Sequence, residues 1–97
     1  MESQINGRQF EWDELKAMMN VAKHGVYFED AARVFDDEFR MIQRDETHSV
    51  NEPRFQVIGM VDDVLFVVCT ERIEKIRLIS ARRATNFERS LYYGNGD

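Results

Sequence analysis

The stretch Arg54-Phe55-Gln56-Val57-Ile58-Gly59-Met60-Val61-Asp62-Asp63-Val64-Leu65-Phe66-Val67-Val68-Cys69-Thr70 decides the fold class. As far as Val61 the residues alternate, with Phe55, Val57 and Gly59 on one face, which is the two-residue period of a half-buried strand. From Val64 to Thr70 the apolar character extends to both faces, as in a central strand covered on both sides. Asp62-Asp63 leaves room only for a tight turn, so the two strands are expected to pair as a hairpin. A third strand from Lys75 to Ser80 completes an antiparallel meander.

Beyond the meander, Thr85-Asn86-Phe87-Glu88 has capping-box spacing: the Thr hydroxyl and the Glu carboxylate can satisfy exposed backbone donors, which predicts a helix through Tyr92. Before it, Phe39-Arg40-Met41-Ile42 reads as a short edge strand and Arg44 to Ser49 as a polar loop, which Pro53 can end. Further back, Phe28, Ala31, Ala32 and Phe35 form one stripe, with Glu29, Asp30 and Arg33 facing outward, so a helix is expected. Asp13 can cap an earlier helix whose apolar positions Leu15, Met18, Met19 and Ala22 repeat at helical spacing, and Gly25 can end it. Gln9-Phe10-Glu11-Trp12 alternates like a short strand. With no repeat or linker, residues 1–97 are expected to form a single α+β domain: a short N-terminal strand, two helices, the meander and a C-terminal helix.

The formal net charge is −5, which taken alone disfavours a nucleic-acid partner, because phosphate affinity comes mainly from Lys and Arg. The charge is unevenly spread. Up to Pro53 there are six Lys/Arg against twelve Asp/Glu; from Arg54 onward there are seven against six. A local basic surface is therefore compatible with an acidic chain, and the acidic half can face a basic partner. Cys69 excludes an internal disulfide and reads as a small buried hydrophobe. No apolar run approaches a membrane span and Met1-Glu2-Ser3-Gln4 lacks the order of a signal peptide, so a cytoplasmic protein is expected.

No glycine series suits a phosphate loop and no Cys/His cluster has zinc-ligand spacing, so neither a cofactor nor a metal is expected. His24 and His48, with Asp45 or Glu52 nearby in sequence, are weak signs of acid-base chemistry. The arginines say more. Arg72 follows the central strand, Arg77 lies in the next, and Arg82-Arg83 follow Ser80-Ala81, positions that can converge on one rim. Convergent guanidiniums suit phosphodiester cleavage without a metal, since a planar fork can hold two phosphate oxygens as charge develops on them. The alternative is a solvated rim paired with Glu71, Glu74 and Glu88. Phe10, Trp12, Phe28, Phe35 and Phe55 fall at periodic core positions, whereas adjacent Tyr92 and Tyr93 must point in different directions, one packed and one free.

The order of residues resembles the BrnT toxins. The matching pieces are Phe10-Glu11-Trp12-Asp13, Lys16, Asn20, Lys23-His24-Gly25-Val26, Phe28-Glu29 and Ala31, then His48-Ser49, Glu52, Arg54-Phe55 and Ile58-Gly59. Thr70 with Arg72, Ile76 through Thr85, Glu88-Arg89 and Tyr92-Tyr93 close the match. The resemblance implies a RelE-like α+β fold and a ribonuclease that blocks translation through attack of the RNA 2′-hydroxyl on the adjacent phosphate. It also implies a BrnA-like ribbon-helix-helix antitoxin, with DNA reached only through that antitoxin when the complex represses its own operon. A heterotetramer with antitoxin is the assembly it implies. Carried over by position, Lys23, Arg72, Arg82 and Arg83 are the expected phosphate contacts, and His24, Glu52 and Tyr93 candidates for proton transfer or positioning. On the residues alone, Glu52 can instead pair with Arg54 and His24 can cap the first helix. Tyr27, Asp62-Asp63 and Cys69 depart from the family pattern. A non-catalytic, antitoxin-binding module is the alternative reading.

Overall fold

A computed structural model describes residues 1–47 and 52–94. Its strands are β1 (Glu2–Ile5), β2 (Arg8–Glu11), β3 (Met41–Asp45), β4 (Arg54–Val61), β5 (Asp63–Arg72) and β6 (Lys75–Arg83). The helices are α1 (Glu14–His24), α2 (Phe28–Ala31), which tightens into a 3₁₀ turn over Ala32–Asp36, and α3 (Asn86–Gly94). The strands form one sheet in the order β1-β2-β6-β5-β4-β3. All neighbours are antiparallel except β2 and β6, which run parallel with Phe10 opposite Ile76 and Glu11 opposite Arg77.

Local stereochemistry accounts for most boundaries. Asp13 Oδ1 accepts the Lys16 N–H at 3.0 Å to open α1, and Gly25, at φ 71°, closes it with its N–H on the Val21 carbonyl. Thr85 and Glu88 form the reciprocal capping box of α3, at 2.8 and 3.2 Å. Asp62, at φ 62°, reverses the chain between β4 and β5. One hairpin goes beyond the expected single N-terminal strand: Asn6 and Gly7 both take positive φ and fold β1 back onto β2. That turn suits the Asn-Gly dipeptide.

One face of the sheet is covered by α1 and α2, and Phe10, Phe28, Val34, Val57, Val67 and Leu78 fill the space between. Gly59 lets β4 and the 3₁₀ turn approach closely, since a Cβ there would lie 3.0 Å from Val34 Cβ and 3.1 Å from its carbonyl oxygen. On the opposite face α3 covers one end only, where Tyr92 packs with Ile58 and Val64.

Helix α1 is rotated away from its apolar stripe. Leu15, Met18 and Met19 are more than half exposed, and the residue it buries is Asn20. The Asn20 amide accepts the Ala81 N–H at 3.0 Å and donates to the carbonyls of Ala81 at 2.9 Å and Val26 at 2.8 Å. It thereby satisfies the edge of β6 beyond the short parallel pairing, and these three bonds set the helix rotation. Three strands are also longer or later than the sequence predicts: β5 takes in Arg72, which had been placed after it. β6 continues through Arg83, and β3 takes in Arg44 and Asp45, which had read as loop.

Candidate functional site

Side chains alternate across a strand, so the packed residues identify what the other face carries. In β5, Leu65, Val67 and Cys69 pack under the helices, leaving Val64, Phe66, Val68, Thr70 and Arg72 on the α3 side. In β6 the alternation changes phase. Val68 pairs with Ser80 but Cys69 pairs with Leu78, a bulge that inserts Ile79. Leu78 and Ala81 both face the helices although they are three positions apart, an odd number. As a result Arg77 and Arg82 lie on the same face, and Arg83 lies on the other.

The α3 side therefore carries a ladder of guanidiniums, each against a carboxylate. Arg72 grips Glu52 with two prongs, Nε to Oε2 at 3.0 Å and Nη2 to Oε1 at 3.2 Å. Arg77 Nη1 meets Glu11 Oε2 at 3.1 Å, in a cross-strand row running Glu11, Arg77, Thr70, Arg54 and Asp45. Arg82 holds Glu88 at 2.7 and 3.0 Å while its guanidinium stacks 4.2 Å above the Phe66 ring. Along β5 the rows of Arg72 and Arg82 are six positions apart, or about 20 Å at roughly 3.3 Å per residue. The arginines thus form a line across the open face, whereas the sequence had suggested convergence on one rim. Near Arg72 the line ends at a cleft of about 430 Å³ bordered by Arg8, Gln9, Arg72 and Lys75.

The remaining predicted residues fall elsewhere. Arg83 reaches Asp63 at 3.4 Å and borders a cleft with Gly25, Val26 and Asp30, just past the end of α1. Exposed Lys23 and half-exposed His24 are in the last turn of α1, on the packed side of the sheet. Glu52 pairs with Arg72, not with Arg54 as the sequence had suggested. Tyr92 is buried and Tyr93 exposed, their rings meeting edge to face at 5.3 Å. The partners of Arg72, Arg77, Arg82 and Arg83 include Glu88, as the solvated-rim reading held, but otherwise are Glu52, Glu11 and Asp63 instead of Glu71 and Glu74. His48 lies outside the described residues. Glu11 is a residue the sequence reading passed over; its signal was the alternation with inward-facing Phe10, which turns Glu11 to the opposite face.

Titration behaviour follows these contacts. Burial pushes against ionisation of Glu88, but the hydrogen bonds from Arg82 and Thr85 prevail and hold its carboxyl below the usual range. The Glu52 carboxylate, through its hydrogen bonds and charge, raises Arg72 further, and Glu11 adds to the effect through space. Beneath α3, Asp37 accepts from the Tyr92 hydroxyl and from the Met60 N–H at 2.7 Å. Burial opposes its charge, yet these bonds keep its carboxyl lowered, while burial and Asp37 together push the Tyr92 phenol up to about 12. Burial pushes the Cys69 thiol to about 12 as well, which suits a packing role. Among the described residues, no group of three or more His, Cys, Asp or Glu side chains is placed to hold a metal ion, and no helix is long and apolar enough to cross a membrane.

Comparison with known proteins places this geometry in context. The family model for the ribonuclease toxin BrnT of type II toxin-antitoxin systems matches residues 12–88. The fold is similar to the 1.1 Å crystal structure of the Brucella abortus ribonuclease toxin BrnT, with a TM-score of 0.63 and 24% sequence identity, covering 79% of this chain and 96% of that one. No curated protein sequence matches the chain.

Proposed function

Because the chain belongs to the BrnT family of ribonuclease toxins of type II toxin-antitoxin systems, we propose that it is an endoribonuclease that cuts RNA without a metal ion and so blocks translation. The observation that carries this reading is the guanidinium ladder of Arg72, Arg77 and Arg82 across an uncovered sheet face. An extended line of forks suits a single strand of RNA, whose successive phosphates can exchange with the resident carboxylates. In the proposed chemistry the 2′-oxygen attacks phosphorus, and arginines hold the non-bridging oxygens as charge builds on them. Arg72 and Arg82 are assigned to phosphate contact, Glu52 to positioning Arg72, and Tyr93 to stacking or hydrogen bonding at the α3 end. Lys23, His24 and Arg83, on the packed side, are assigned to a flanking RNA contact away from the cut. The proposed fold relatives are RelE-like toxins, and the site of action is the cytoplasm.

The proposed partner is a BrnA-like ribbon-helix-helix antitoxin, which neutralises the toxin and supplies the DNA contact for repression of their operon. The acidic first half of this chain offers it a surface. The test is incubation of purified protein with total RNA in EDTA, beside an Arg77→Ala, Arg82→Ala double variant verified by circular dichroism. Cleavage by the wild type and its loss in the folded variant are expected. Equal cleavage by both would overturn the assignment of the ladder, and cleavage abolished by EDTA would overturn metal independence.

A second reading is favoured by the pairing itself, since the ladder arginines are already matched by carboxylates on a chain of net charge −5. It is a non-catalytic antitoxin-binding module acting only in transcriptional regulation. It predicts intact RNA at every protein concentration and unchanged antitoxin binding.

A further inference from the structure

Removal of the 2′-hydroxyl proton requires a base with an accessible lone pair, held firmly beside a phosphate-binding cation. Most carboxylates on or beside the ladder have their oxygens engaged. Both oxygens of Glu52 accept from Arg72. Both oxygens of Glu88 accept from Arg82, and one also holds the Thr85 N–H that caps α3. Asp63 is divided among Arg83, Arg89 and the Val64 N–H. Asp37 is committed to Tyr92, Met60 and Phe39.

Glu11 differs. Arg77 engages it through Oε2 alone, and its side chain retains 21% exposure at the parallel junction of β2 and β6. The carboxylate stands on a strand whose backbone is paired on both sides, so its position is set by the sheet. Arg77 has five N–H donors, and the contact to Glu11 is made through Nη1. A phosphate oxygen accepted at Nη2 would bring the adjoining ribose alongside Glu11.

We infer that Glu11 is the catalytic base of the ribonuclease, with Arg77 beside it holding the scissile phosphate; this rests on the ribonuclease reading above. Glu11 Oε1 takes the 2′-hydroxyl proton and the 2′-oxygen forms a bond to phosphorus. The bond from phosphorus to the 5′-oxygen breaks, and that oxygen takes a proton from water. The products are a 2′,3′-cyclic phosphate and a 5′-hydroxyl end.

The experiment is steady-state cleavage of a short fluorogenic RNA across a pH series by wild type, Glu11→Gln, Glu11→Asp and Glu52→Gln. Binding of a 2′-O-methyl version of the same RNA, which cannot be cut, is measured alongside. A glutamine amide oxygen can still accept from Arg77, so Glu11→Gln retains the cross-strand tie. Glu11→Gln should lower kcat by roughly 10²- to 10⁴-fold, abolish the acid-side rise of kcat, and bind the 2′-O-methyl RNA at least as tightly as wild type. Glu11→Asp should keep the acid-side rise at an intermediate rate, and Glu52→Gln, which loosens the hold on Arg72, should lower the rate but keep the acid-side rise. Wild-type cleavage matched by Glu11→Gln with the acid limb intact, or loss of that limb in Glu52→Gln instead, would overturn the assignment of Glu11 and leave the ribonuclease reading standing. RNA left whole by the wild type would overturn both.

Discussion

The two faces of the sheet are built from the same strands, yet they differ in nearly everything else. Toward α1 and α2, the strand positions are apolar and dry, and a single glycine permits van der Waals contact between β4 and the 3₁₀ turn. Toward α3, packing is confined to one end, and beyond it stands a set of arginine-carboxylate pairs with side chains 14% to 44% exposed. Burial of hydrocarbon supplies most of the folding free energy, whereas exposed ion pairs supply little. Stability is thus concentrated on one face, leaving the other free to hold charge.

The largest effect should come from the packed face. Phe28 is fully buried and meets the Trp12 ring edge-on at 5.9 Å. Phe28→Ala should lower unfolding free energy by about 3–5 kcal/mol in a denaturant titration; a loss below 1 kcal/mol would mean that this face is not where stability resides. The complementary change, Arg82→Ala, should leave unfolding within about 1 kcal/mol of wild type while slowing RNA cleavage by about 10²-fold or more. Were Arg82→Ala instead to destabilise the fold and spare cleavage, the division between the faces would fail.

Gly59→Ala sharpens the comparison at finer scale. The added methyl meets the Val34 backbone, which cannot swing aside, so a loss of about 1–3 kcal/mol is expected in the same titration. The smallest effect concerns pH. The phenol of Tyr92 is raised from 10.0 to about 12, first by burial and then by Asp37, so its contribution is present in full below pH 10 and lost as pH rises toward 12. Cys69, raised from 9.0 to about 12, acts in the same direction. Tm measured from pH 9 to 12 should therefore fall less steeply in Tyr92→Phe than in wild type, and parallel curves would remove Tyr92 from this account. In acid the sign reverses: the lowered Asp37 carboxyl stabilises above pH 3.8, and that contribution disappears as pH falls through its native value.

Much of this fold was legible residue by residue. β4 matches its alternation from Arg54 to Val61, and the caps at Asp13, Gly25 and Thr85 act through bonds to neighbours no more than four residues away. The buried stripe of Phe28, Ala31, Ala32 and Phe35 also appears as its period predicts. The outward turn of Leu15, Met18 and Met19 was not legible, because Asn20 sets the helix rotation through bonds to Ala81, 61 positions away. The candidate site was legible in composition and misleading in geometry. Arg72, Arg77 and Arg82 were visible as cations, but neither their spacing along the face nor the carboxylates opposing them is encoded in local order.

By itself, the sequence determined the period-two strands, the tight turns and the helix caps, because each rests on the stereochemistry of a few consecutive residues. Tertiary structure alone decided the parallel join of β2 to β6 and the bulge at Ile79. By changing the alternation of β6 between Arg77 and Arg82, that bulge places both on the open face and sends Arg83 to the other. A bulge arises from the pairing of two strands, and its consequence for side-chain direction exists only once that register is formed.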